Sequence, residues 1–222
     1  NTTAGFSIIN YIGNSGSGHQ IPHRLGVTPK MIIVKCLNQA QNWSVYHQGL
    51  GSGTPQNYYL KLNASTAETS ASNIWYNTAP NATNFTVGDS DNVNGGLNYI
   101  AYCFAEKQGY SKFGKYTGNG NANGTFVYTG FKPAYVLAKR INGSYKWLIS
   151  DNKRNPSNSV KQYLSAEYAD TDASGLDLDF LSNGFKLRTT DAQRNASGSP
   201  YIYMAFAEEP LVSTNGVAAT AR

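Results

Sequence analysis

Hydrophobic and polar positions alternate along much of this chain. Tyr58, Leu60 and Leu62 alternate with Tyr59, Lys61 and Asn63, and Phe185 and Leu187 alternate with Lys186 and Arg188. A period of two marks a strand with one buried face. A second pattern alternates by size: Ile100, Tyr102 and Phe104 stand against Ala101, Cys103 and Ala105, and Ile202, Met204 and Phe206 against Tyr203, Ala205 and Ala207. A face of small residues implies a close neighbour, so these two segments are expected as central strands. Clusters of Gly, Asn, Ser and Pro at 14–18, 118–124 and 195–200 read as turns between strands. A short helix is expected over 161–170.

The pattern occurs twice. Tyr11-Ile12-Gly13-Asn14 is echoed by Tyr116-Thr117-Gly118-Asn119, and residues 29–35 by residues 133–139. Trp43 matches Trp147, Tyr59-Leu60 matches Tyr163-Leu164, and Phe85-Thr86-Val87 matches Phe185-Lys186-Leu187. Residues 99–106 match residues 201–208. The blocks keep their order and nearly constant spacing, which chance does not produce. The expected architecture is all-β: a tandem duplication of two similar β-sandwich units, jelly-roll or lectin-like, each of about seven short strands. The expected boundaries are 1–108 and 109–211, with a flexible tail at 212–222.

Composition agrees. Aromatic residues make up 13% of the chain, with 16 Tyr, far too many for a disordered segment. The 22 Gly, together with many Asn, Ser and Thr, favour turns and strands over helices. No apolar run approaches the roughly 18 residues of a membrane helix, so no membrane insertion is expected. The chain opens on Asn1 rather than Met, which suits a processed, trimmed or fragmentary chain. A net charge of +5, with both signs mixed along the sequence, is not a polybasic footprint, and no nucleic acid is expected as a partner. The two cysteines, Cys36 and Cys103, make no disulfide scaffold, and buried thiols are the simple reading.

Candidate chemistry is sparse. His19 and His23 are four apart, but Pro22 and a Gly-Ser run argue against the helix that would pair them on a metal. The acidic run Glu167, Asp170, Asp172, Asp177 and Asp179 does not match an EF-hand. Asp177 and Asp179 share one strand face, and a single strand cannot set the carboxylate separation a glycosidase needs. Residues 109–116 half-match a phosphate loop, yet Tyr116 stands where a Ser or Thr is required. No catalytic residue, metal site or cofactor is therefore expected. Trp75 and Tyr76 have no aromatic counterpart in the second copy, where residues 178–180 lie. They are the candidate glycan-binding pair, able to stack on sugar rings, with core packing as the competing role.

Three stretches of the first copy resemble a repeated domain of bacteriophage structural proteins, common in marine phages and often found in tail-fibre-like chains: residues 25–35, Trp43 to His47, and 99–106. In the second copy, residues 128–133, 151–154 and 179–188 are similar to the same family. The resemblance covers roughly 5–210 and implies a virion component with lectin-like β-sandwich architecture. It brings no catalytic residue with it. The expected function is a non-enzymatic virion protein, a tail-fibre or adhesin module contacting a host-surface polysaccharide. The alternative is a head-decorating or fibre-shaft protein that binds only other virion proteins, and a glycan-cleaving enzyme ranks third. Its partners would be further copies of itself and other virion proteins, and its place the virion, after synthesis in the host cytoplasm.

Overall fold

A computed structural model describes residues 1–208. The expected tail at 212–222 lies outside the described residues. The chain divides into two compact units, Asn1–Glu106 and Lys107–Arg222.

Unit 1 carries β1 (Phe6–Ile12), β2 (His19–Pro22), β3 (Met31–Cys36), β4 (Ser44–His47), β5 (Tyr58–Lys61), β6 (Thr69–Ser70), the one-turn helix α1 (Ser72–Trp75), β7 (Asn84–Val87) and β8 (Asn98–Phe104). A six-stranded sheet runs in the order β1-β8-β3-β4-β5-β6, and β2 pairs with β7. Unit 2 carries β9 (Ser111–Thr117), β10 (Phe126–Tyr128), β11 (Pro133–Arg140), β12 (Trp147–Asp151), β13 (Leu164–Ser165), β14 (Leu178–Leu181), β15 (Gly184–Leu187), the one-turn helix α2 (Ala192–Asn195) and β16 (Pro200–Ala207). Its larger sheet runs β13-β12-β11-β16-β9 and its smaller one β10-β15-β14. The protein is all-β, and its strands pair antiparallel.

In each unit an apolar core joins residues of both sheets. In unit 1, Ile32, Val34, Tyr99, Ala101 and Cys103 of the larger sheet meet Ile21, Phe85 and Val87 of the smaller one. In unit 2, Val136, Ala138, Tyr201 and Ala205 meet Val127, Leu178, Phe180, Phe185 and Leu187. Burying each Phe or Leu contributes about 1.5–3 kcal/mol. β8 and β16 are central strands, as their small residues imply: β8 lies between β1 and β3, and β16 between β9 and β11. The small faces point into the two cores, because the opposing sheet needs room there.

The repeated blocks fall in the same register. Tyr11 opposes Tyr99, and Tyr116 opposes Tyr201. Both pairs stack, at ring distances of 5.2 and 4.8 Å. Ile21 opposes Phe85, and Val127 opposes Phe185. The stacked tyrosines also close equivalent turns. Tyr11 Oη donates to Val93 O at 2.6 Å, and Tyr116 Oη to Arg194 O at 3.0 Å. Tyr99 Oη donates to Asp91 O at 2.8 Å, and Tyr201 Oη to Ala192 O at 2.7 Å.

Each turn ends on a fully buried asparagine. Asn94 Nδ2 donates to Asn14 Oδ1, Gly16 O and Gly88 O, and its Oδ1 accepts from Asn14 N. Asn195 does the same with Asn119 Oδ1, Asn121 O, Thr189 O and Asn119 N. A buried amide is tolerated because all of its bonding capacity is used.

One local expectation changes. Residues 161–170 form no helix: Leu164 and Ser165 pair with β12, because Tyr163, 8% exposed, is drawn into a small apolar cluster with Leu148 and Leu176. Where unit 1 has α1, unit 2 has the strand β14. Both cysteines are buried as free thiols, and burial pushes Cys103 up to about 12.

Candidate functional site

Trp75 and Tyr76 do not form an aromatic platform. Trp75 is 2% exposed, edge-on to Tyr46 and Phe85 at 6.0 and 6.5 Å, so neither ring face is open to a sugar. Its indole N–H has no partner among the described residues. Tyr76 ends α1 in the left-handed region, with φ 51°, and is half exposed. Gly18 lies against its ring, where an added Cβ would come within 3.2 Å of Cε1. The competing core role therefore falls to Trp75, and Tyr76 alone remains at the surface.

His19 and His23 are held by hydrogen bonds. His23 Nε2 lies 2.9 Å from Asn81 O, and its Nδ1 accepts from Leu25 N at 3.2 Å. His19 Nδ1 lies 2.9 Å from the Asn94 amide oxygen. The acidic run is dispersed: Asp170 pairs with Lys146, Asp172 with Arg154 and Asp179 with Arg188, while Asp177 accepts from Ser159. Glu167 accepts from the Trp147 backbone N–H, and burial raises its pKa. Among the described residues no three His, Cys, Asp or Glu side chains are grouped to hold a metal ion.

A concave feature lies in unit 2, and strand topology builds it. β11 is antiparallel to both of its neighbours, so its first residues lie beside the last residues of β12 and β16. Pro133 opposes Ala207, and Asn152 N donates to Ala134 O at 3.0 Å. Lys132, Asn152, Lys153 and Glu208 thus gather at one end of the sheet. The chain then turns sharply: Asp151 Oδ1 accepts from the backbone N–H groups of Lys153 and Arg154, and its other oxygen pairs with the Arg154 guanidinium. The returning loop docks on the free edge of β14, where Val160 bridges to Leu178 and the Asn158 amide both donates to and accepts from the Phe180 backbone at 2.9 Å.

The open cleft has a volume of about 390 Å³ and is lined by Lys132, Asn152, Lys153, Asn155, Asn158 and Glu208, with Pro156, Val160 and Phe180. That lies within the usual range for small-ligand sites. Lys153 Nζ is 2.8 Å from Glu208 Oε1. Hydrogen bonds from Lys153 and Asn152 hold the Glu208 carboxyl below its usual range, so it stays ionised.

Sequence reasoning did not single out these residues, although the stretches carrying the phage resemblance contain Lys132, Asn152, Lys153 and Phe180. It also passed over Phe126 and Tyr128, which point outward from β10, 44% and 63% exposed, while Val127 between them is buried. The available signal was the pair of aromatics two apart in a three-residue strand flanked by Gly124 and Gly130.

The fold and cleft define an all-β protein of two units, with a polar, ligand-sized depression at one sheet end of the second. The chain belongs to the family described as Domain of unknown function (DUF7483), which matches over residues 1–210. No curated protein and no solved structure matches it.

Proposed function

We propose that this chain is a non-catalytic module of a bacteriophage particle, of the tail-fibre or adhesin kind, that touches host-surface glycans through the cleft of unit 2. The observation that carries the glycan contact is the lining, where the amide and ammonium groups of Lys132, Asn152, Lys153, Asn155 and Asn158 are gathered around one cleft. Saccharides present many hydroxyls, which amide and ammonium groups in a cleft of this size match. The phage setting rests on the sequence resemblance. A non-catalytic role is favoured because the one lining carboxylate, Glu208, is held ionised by Lys153, and glycoside hydrolysis needs a pair with one member protonated.

We also infer that the two units are β-sandwiches descended from one ancestral unit. The equivalent tyrosine stacks and buried asparagines support this, since one residue pattern makes the same hydrogen bonds in both.

Gold-labelled antibody against the chain, applied to particles of a phage that encodes it, tests the assignment. Label at the tail tips is expected; label over the capsid, or none, overturns the tail-fibre reading. The second reading, a protein that binds only other virion proteins, is favoured by β1, an edge strand with Ile8 and Ile12 facing outward at 52% and 70% exposure.

A further inference from the structure

We propose that the unit 2 cleft receives the anionic group of an acidic saccharide, a uronate or sulfate ester, with Lys132, Lys153 and Asn155 as its donors. This rests on the cleft's reading as a glycan contact and adds the chemical class of the sugar.

Most acceptors among the lining side chains are already committed. Asn155 Oδ1 takes the backbone N–H groups of Lys161 and Gln162, at 3.1 and 2.7 Å. Asn158 spends both ends of its amide on Phe180. Glu208 is engaged by Lys153 and Asn152. The donors are the groups left over. Among the described residues, neither Asn155 Nδ2 nor Lys132 Nζ makes a hydrogen bond. An ammonium group carries three donors, so Lys153 has two to spare beyond Glu208.

The charge count agrees, since two lysines against one glutamate leave an excess of one positive charge in the lining. A cleft rich in spare donors and one charge positive is complementary to an acceptor-rich anion. Charge-assisted bonds to a carboxylate or sulfate are the strong ones available to it. Neutral sugars, whose hydroxyls donate as well as accept, leave that charge unanswered.

The test is calorimetric titration of the intact chain with polygalacturonate, heparin and dextran, at about 0.05 M and about 0.5 M salt, which shortens the screening length several-fold. Both polyanions should bind at low salt and weaken at high salt, and dextran should not bind. Lys132→Gln should weaken polyanion binding about tenfold, the worth of one charge-assisted bond. Asn155→Asp keeps the oxygen that ties down the loop but replaces the donor with a negative charge, so it should weaken binding further with no change in melting temperature. Lys115→Gln, at an exposed lysine of β9, should change nothing.

Dextran binding as tightly as polygalacturonate overturns the anionic class and leaves the glycan reading standing. Equal losses from Lys115→Gln and Lys132→Gln overturn the site, since attraction would then be general. No binding by any of the three overturns both the inference and the glycan contact.

Discussion

At the residue scale, the polar groups in the interior explain most of what composition alone left open. The many asparagines read as turn formers, yet Asn94 and Asn195 are wholly buried, and each ties two other segments of the chain to one amide. Periodicity cannot reveal this, because one asparagine in a turn looks like any other until the chain closes around it. His23 is a second case. Its Nδ1 accepts from the Leu25 N–H, so the ring is held neutral with its proton on Nε2 toward Asn81 O. Burial lowers its pKa. The native state then binds fewer protons than the unfolded chain below the ordinary histidine range. Stability is full above that range and falls as pH drops through about 6.5, the unfolded value. Melting followed from pH 8 to pH 5, about 1.5 pH units either side of that value, should show a decline. His23→Gln, which can both donate and accept, should make it shallower. An identical decline in the variant would remove His23 as its source.

At the element scale, the two units diverge where their cores are filled. In unit 1 the turn at 90–94 buries Val93, and in unit 2 the equivalent turn, α2, buries Arg194, at 0% and 1% exposure. The Arg194 guanidinium donates from Nη2 to Ser150 Oγ at 3.0 Å, while its Nε has no partner. No carboxylate forms an ion pair with it among the described residues. Burial lowers its pKa, and attraction from Tyr116, Tyr163, Asp177 and Asp191 opposes that. Taking a guanidinium out of water without a paired anion is costly, and even complete buried ion pairs can often be replaced by apolar residues with no loss of stability. Arg194→Met, similar in length and free of charge, should melt at or above the wild-type temperature in a thermal scan. A clear loss of stability would show that the guanidinium contributes more than its one visible bond. Nothing in the local pattern marks this residue as buried, since an arginine in a polar stretch reads as surface.

At the scale of the whole molecule, the all-β character was legible because alternation is a local property. The cleft was not: its walls come from residues near 132, 152–160, 180 and 208, joined only by the antiparallel order of β12, β11 and β16. Self-association sits between these cases, because an edge strand is a matter of topology and its side chains a matter of sequence. β1 and β9 hold equivalent edge positions in their sheets. The middle of β9 carries Lys115, an exposed charge of the kind that discourages a second strand from adding. The middle of β1 carries Asn10, with Ile8 and Ile12 exposed on either side. The unguarded edge is therefore that of unit 1. Light scattering across a concentration series should give a mass above the 24.1 kDa of one chain, rising with concentration or fixed at a small multiple. Replacing Ile8 and Ile12 together with Lys should return the mass to that of one chain without lowering the melting temperature, because both side chains lie outside the core. A wild-type chain that stays monomeric throughout, or an oligomer indifferent to both lysines, would show that β1 is not the contact.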